Sequence, residues 1–204
     1  VWLSHRLING TDHETLEYVR MCAIEAEKLR IVDPNIIFIV GNELIMDMKG
    51  IIPGNTYGDR GSNLAKNVAI GTIRDIFGEN PINRRLNNFL KVVVNEVRSI
   101  FRGKITYASH ISENVDWTIF DIIGINAYRN KATDNLFFSY AGKLERLKKY
   151  RKQVAITEFG CGSYKGADSE AGFGYMNVDW NKNPPEIKGN KKRDENVQAN
   201  YLLD

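Results

Sequence analysis

The chain has 204 residues, 43% of them hydrophobic, and 28 basic against 25 acidic side chains give a formal net charge of +3. That length and apolar content suffice for a buried core and exclude a disordered, collagen-like or coiled-coil polypeptide, so one domain over residues 1–204 is expected. The charges are mostly interspersed and no apolar run reaches the roughly 18 residues that span a bilayer, so neither nucleic acid nor membrane is expected as a partner.

In chain order, Val1-Trp2-Leu3-Ser4 reads as the end of a strand, with Trp2 filling the interior beneath it. Thr11 or Asp12 then caps a helix with Glu14 in its first turn, and Leu16, Val19, Ala23, Ala26 and Ile31 follow at roughly helical spacing until Asp33-Pro34-Asn35. The run Ile36 to Val40 is β-branched, aromatic and continuous, as in a parallel strand buried on both faces, and Glu43 falls at its exit. Residues 44 to about 80 carry Gly50, Pro53, Gly54, Gly58, Gly61, Gly71 and Gly78. Such a stretch is too long for an ordinary connection and suits a wall or lid with short helical pieces. Leu86, Phe89, Leu90, Val93, Val97, Ile100 and Phe101 then mark a strongly amphipathic helix that ends at Gly103.

Lys104 to His110 reads as a strand, a crossover carries Trp117 and Phe120, and Asp121 to Tyr128 reads as another strand. A helix from about Leu136 to Tyr150 leads into a strand from Gln153 to Glu158, and Val197 to Asp204 reads as a helix cut short. With a strand end at one terminus and an interrupted helix at the other, the chain is expected to be a fragment of a longer polypeptide. Strands alternating with helices give a parallel sheet through right-handed crossovers. The chain lacks Gly-x-Gly-x-x-Gly after a first strand and a Gly-x-x-x-x-Gly-Lys-Ser/Thr loop, which removes support for the phosphate-binding open sheets. Polar residues at strand exits (Glu43, His110, Asn126, Tyr128, Glu158) favour an α/β fold of a different kind, a partial (β/α)8 barrel with about five strands present. Cys22 and Cys161 read as structural thiols, no Cys or His pair has metal-ligand spacing, and no cofactor is expected. The basic clusters Lys143 to Lys152 and Lys188 to Arg193 read as solvated surface.

Two strand-like runs end in a glutamate, Ile36-Ile37-Phe38-Ile39-Val40-Gly41-Asn42-Glu43 and Gln153-Val154-Ala155-Ile156-Thr157-Glu158. Two carboxylates delivered at the carboxyl ends of parallel strands are what glycoside hydrolysis with retention needs, one as acid and one as nucleophile. The alternative for either glutamate is a helix cap or the partner of an arginine. His5 and Arg6 follow the opening strand, and because side chains alternate only one of them points inward. Tyr175 and Trp180 are candidates for stacking on sugar rings, or else pin a long loop.

Asn42-Glu43 followed by Thr157-Glu158-Phe159-Gly160 resembles the superfamily of retaining (β/α)8-barrel glycoside hydrolases, in which an acid/base glutamate follows an asparagine on strand four and the nucleophile ends strand seven. The resemblance implies a barrel fragment spanning strands three to seven, with exits at Glu43, His110, Tyr128 and Glu158 as strands four to seven. It further implies that Glu43 is the acid/base, Glu158 the nucleophile, and Asn42 a partner of the sugar 2-hydroxyl. Tyr128 matches the strand-six tyrosine that bonds the nucleophile. His110, Asn126, Arg6 and Trp180 complete the candidate substrate-binding set, with a carbohydrate as the expected partner. The stretch from Thr157 to Gly166 looks like a little-characterised bacterial barrel family sometimes labelled abortive infection. The competing expectation is accordingly a barrel that has kept the fold without turnover, as a carbohydrate-binding or phage-defence module.

Overall fold

In a computed structural model of the chain, residues 1–64, 81–110, 112–129, 140–179 and 182–203 are described. They form two compact units, Val1–Ile125 with Lys152–Ala155, and Asn126–Arg151 with Ile156–Asp204. Five strands, β1 (Trp2–Leu3), β2 (Ile37–Asn42), β3 (Lys104–Ser109), β4 (Ile123–Asn126) and β5 (Val154–Glu158), make one sheet in sequence order. Neighbours in sequence are neighbours in space, as expected when each strand returns through a helix or crossover.

In the first unit, helix α1 (Asp12–Val32) starts on a complete capping box: Glu14 donates its amide to Thr11 Oγ1 at 3.3 Å, and the Thr11 amide donates to Glu14 Oε2 at 2.8 Å. Thr15, Val19, Ala23 and Ala26 form its buried stripe. Ile31, expected on that stripe, is 74% exposed, because five residues beyond Ala26 the helix has turned its side chain away from the core. Helix α4 (Pro81–Ile100) buries Leu86, Phe89, Leu90, Val93, Val94 and Val97, and the following Phe101 is fully buried.

The strands beneath are parallel. β1 aligns Trp2 with Ile37, and β2 aligns Ile37 with Lys104 and Ile39 with Thr106. Between Ile39 and Asn42 the register shifts so that Asn42 pairs with Ala108, which places one extra β2 residue immediately before Asn42-Glu43. Such a bulge bends the strand and re-aims the side chains that follow it. Gly124 is obligatory where β3 and β4 meet: a Cβ there would lie 2.4 Å from the Tyr107 carbonyl oxygen. Trp2, expected to fill the interior, is 40% exposed, because β1 is an edge strand only two residues long. Lys152, expected at a solvated surface, instead donates its ammonium to the carbonyls of Trp117 at 2.7 Å, Thr118 at 3.0 Å and Phe120, closing the end of that crossover.

The stretch from residue 44 contains α2 (Leu44–Asp47) and a further helix, α3, over residues 57–64. The rest of the expected loop, with Gly71 and Gly78, lies outside the described residues, as does Leu136 at the expected start of the next helix. In the second unit α5 (Tyr140–Leu147) ends in a 3-10 turn, Lys148–Tyr150. After β5 come α6 (Ala167–Glu170), a 3-10 segment Ala171–Asn177, and an antiparallel pair β6 (Val178–Asp179) and β7 (Glu186–Ile187). Helix α7 (Glu195–Leu203) then packs Tyr201 and Val197 with Cys161, Ala167 and Tyr164 in a small core. Both cysteines are free thiols.

Candidate active site

Each glutamate singled out in the sequence sits where a parallel strand ends. Glu43 follows β2 and occupies the N-cap position of α2 with φ 43° and ψ 48°, a left-handed backbone that costs a residue with a Cβ about 1 to 2 kcal/mol. Its side chain makes no capping bond, so the helix-cap alternative has no support here. Its amide donates to the Ala108 carbonyl of β3 at 2.9 Å, and its own carbonyl accepts from Met46 at 2.8 Å and Asp47 at 3.0 Å. Sheet and short helix thus grip the Glu43 backbone from both sides.

The first turn after Glu43 is held from below by side chains that sequence reasoning had not singled out. The Leu44 amide donates to the Tyr107 hydroxyl at 2.7 Å, and that hydroxyl donates to Glu113 Oε1 at 2.7 Å. Glu113 also accepts the Ile45 amide at 3.1 Å and the His110 amide at 2.7 Å. Burial pushes the Glu113 carboxyl up to about 8, assisted by the negative charge of Glu43 and opposed by these hydrogen bonds. Tyr107 is held well above its ordinary value by burial and then by the charge of Glu113. A buried Tyr on the strand and a Glu just beyond its exit were the available signals, but spacing alone does not tell a Glu in a turn from a solvated one.

Two arginines brace the far end of the turn. Arg6 makes a bidentate pair with Asp47, Nε to Oδ2 at 2.9 Å and Nη2 to Oδ1 at 3.0 Å, and its guanidinium lies 5.6 Å from the Tyr57 ring centroid. The Asp47 side chain is 1% exposed and that of Arg6 45%, so the arginine carries a buried carboxylate's charge to the surface. Arg60, fully buried, donates to the carbonyls of Met46 at 2.6 Å and Asp47 at 3.2 Å and to Asn9 Oδ1 at 2.6 Å. His5 and Arg6 do diverge as alternation requires. The His5 ring packs 5.5 Å from both Phe38 and Tyr18 ring centroids, and burial lowers it to about 4, against a raising contribution from the Val40 backbone. At the exit of β3, His110 Nδ1 accepts the Ser112 amide at 3.1 Å and meets the Ser112 hydroxyl at 2.7 Å. Its neutral ring therefore carries the proton on Nε2.

In the second unit, Glu158 ends β5 and its carbonyl accepts the Ala127 amide at 2.9 Å. Tyr128 donates its hydroxyl to Glu158 Oε2 at 2.7 Å. A hydroxyl donated to a carboxylate fixes its rotamer. Gly172 lies against the Tyr128 ring so closely that a Cβ would come within 2.8 Å of it, which holds the ring in place. Asn126 is buried, and its Oδ1 accepts from Thr157 Oγ1 at 2.7 Å. Trp180 lies outside the described residues, as does the side chain of Tyr175. A cavity of about 460 Å³, lined by Ala127, Arg129, Tyr140, Ile156, Phe159 and Tyr201 among others, flanks the Tyr128–Glu158 pair in sequence without including either residue. Among the described residues, no group of three or more His, Cys, Asp or Glu is placed to hold a metal ion, and no helix is long and apolar enough to cross a membrane.

No family model matches the chain, and no curated protein does. Among solved structures, a GH113 β-1,4-mannanase matches at 19% identity and TM-score 0.57, covering 93% of this chain and 45% of the mannanase; a complex of a GH113 β-1,4-mannanase carries that alignment. A second GH113 β-1,4-mannanase structure matches equally, over 94% of this chain. The GH113 β-mannanase AaManA from Alicyclobacillus acidocaldarius, in complex with ManMIm, matches at 13% identity and TM-score 0.56, again over 94% of this chain and 45% of that one. This likeness shows the fold: the chain has the α/β architecture of a partial (β/α)8 barrel and spans about 45% of the length of these structures. The abortive-infection label finds no support in these comparisons.

Proposed function

We propose that the chain is the part of a retaining glycoside hydrolase that carries both catalytic carboxyls, Glu43 as acid/base and Glu158 as nucleophile. The observation that carries this reading is the Tyr128 hydroxyl donated to Glu158 at the end of β5, in a chain with this fold. A rotationally fixed carboxylate is suited to attack at an anomeric carbon.

In the first step Glu43 gives its proton to the glycosidic oxygen as the anomeric carbon–oxygen bond breaks, and Glu158 forms an ester to that carbon. In the second, Glu43 takes a proton from water, the water oxygen bonds the anomeric carbon, and the ester bond to Glu158 breaks. Two displacements return the starting configuration. Asn42, adjoining the acid, bonds the 2-hydroxyl of the sugar in the site, and His110 and Arg6 serve substrate binding from the exits of β3 and β1. The mannanase neighbours make a β-1,4-linked mannan the substrate class to test first.

The experiment is hydrolysis of an activated aryl β-mannoside and of a β-1,4-mannan by the full-length protein, with the product anomer read by proton NMR before mutarotation. A β-configured first product and loss of turnover in Glu158→Gln and Glu43→Gln are the expected results. An α-configured first product, or an undiminished rate in Glu158→Gln, overturns the mechanism.

A further inference from the structure

Glu113 is 7% exposed, and none of the roles proposed above uses it. A carboxyl is rarely kept inside a protein without a set of partners built for it. Here three donors converge on it, the Tyr107 hydroxyl at 2.7 Å and the amides of His110 at 2.7 Å and Ile45 at 3.1 Å. Tyr107, itself fully buried on β3, takes up the Leu44 amide at 2.7 Å. The amides so captured belong to the two residues immediately after Glu43. They open a helix of four residues, far too short to hold its own geometry. They also follow a backbone of φ 43°, which the chain adopts only where surrounding bonds over-determine it.

We propose that Glu113, together with Tyr107, is a positioning residue for Glu43: the pair ties the amides of Leu44 and Ile45 to β3 and so fixes the left-handed turn that directs the Glu43 carboxyl. This rests on the reading of Glu43 as the acid/base. Glu113 touches no substrate and acts only through the backbone it holds and through its charge. Burial raises Glu113 toward about 8 and the charge of Glu43 adds a smaller push in the same direction, and coupling of this kind is reciprocal. The other titratable side chains on the segments it bonds are Lys104, exposed at the start of β3, Tyr107, His110 and Asp47; His110 is engaged by Ser112 and Asp47 by Arg6.

The test uses Glu113→Gln and Tyr107→Phe in the full-length protein. Glutamine turns one acceptor oxygen into a donor facing an amide hydrogen, and phenylalanine removes the acceptor of the Leu44 amide. Both variants are expected to lower kcat roughly tenfold to a hundredfold, the cost of a small misplacement of a catalytic group, with KM within about twofold. A second readout needs no turnover: a carbon-13 NMR titration of the Glu43 carboxyl. In the native chain it should show a second inflection near pH 8 as Glu113 ionises, and that inflection should vanish in Glu113→Gln. Active native protein with kcat unchanged in folded variants overturns the clamp and leaves the glycosidase reading standing. Inactive native protein whose Glu43 titration still responds to Glu113 overturns the glycosidase reading and supports the clamp. A Glu43 titration indifferent to Glu113 overturns the charge coupling. If Glu113→Gln does not fold, Tyr107→Phe, which removes a single hydroxyl, decides by the same kcat.

Discussion

Tyr128 and Glu158 are joined by a 2.7 Å hydrogen bond from phenolic hydroxyl to carboxylate, and the backbone of Gly172 lies against the tyrosine ring that makes it. The bond links the ends of β4 and β5 within the second unit, where the Ala127 amide also reaches the Glu158 carbonyl. Its consequence is a carboxylate with one favoured orientation.

Tyr128→Phe should therefore lower kcat/KM by about tenfold to a hundredfold, since a hydrogen bond to a charged group contributes about 1.5 to 3 kcal/mol. Unfolding stability should fall by no more than about 1.5 kcal/mol. Gly172→Ala should act in the same direction, because its Cβ would come 2.8 Å from the ring and displace it. Steady-state kinetics beside urea unfolding separates the two effects, and a Tyr128→Phe enzyme with full activity would remove the hydroxyl from the mechanism.

Chemical rescue distinguishes the two glutamates. On the proposed assignment, azide should replace the nucleophile in Glu158→Gly and yield a glycosyl azide of inverted configuration. With Glu43→Ala, azide should attack the glycosyl-enzyme and yield one of retained configuration. Product NMR reads the outcome, and the opposite pairing would exchange the two roles.

Arg6→Ala should destabilise the first unit by about 2 kcal/mol in urea, because it removes the bidentate partner of the buried Asp47 carboxylate. The figure is below that for a fully buried pair because water screens the half-exposed guanidinium. Arg6→Lys should recover only part of the loss, since an ammonium cannot make the bidentate contact at 2.9 and 3.0 Å. Equal stability of Arg6→Lys and the native chain would show that charge alone suffices.

His5 gives a dependence on pH with a definite sign. Its folded value is lowered from 6.5 to about 4 by burial, so between those values the unfolded chain binds a proton that the folded chain refuses. The contribution is fully present above pH 6.5, falls as pH drops toward 4, and totals on the order of 3 kcal/mol. Urea midpoints of the native chain and of His5→Phe, compared at pH 7.5 and 4.5, isolate it from the carboxylates that titrate in the same range. Parallel pH curves for the two proteins would mean that His5 titrates alike in both states.

Much of this architecture is legible in the order of the residues. The continuous β-branched run at Ile36 to Val40 announces a buried parallel strand, Lys104 to His110 reads as another strand, and of the two cap candidates Thr11 and Asp12 it is Thr11 that makes the capping box with Glu14. The Tyr128–Glu158 contact is legible only through the resemblance to the retaining barrels, which implies it. What the order of residues does not disclose is the support beneath the chemistry. Glu113 lies 70 positions from Glu43 in the chain and comes to it only because β3 pairs with β2 and the bulge after Ile39 turns the strand end. Arg60 and Lys152 look like surface charges in a sequence, yet their hydrogen-bonding capacity is spent on backbone carbonyls that local helix and strand bonding leaves over. Trp2 erred in the other direction: an aromatic residue in a strand reads as core, and an edge strand of two residues gives it too little to pack against.

The left-handed backbone at Glu43 has a consequence for anyone who would engineer this protein. Glycine is the residue that such a φ favours, and Glu43→Gly should relieve about 1 kcal/mol of backbone strain. A selection for heat resistance alone would thus tend to erase the carboxyl, whereas one that also demands turnover would retain it. On the proposed role of Glu43 as acid/base, position 43 is a place where endurance and activity ask for different amino acids.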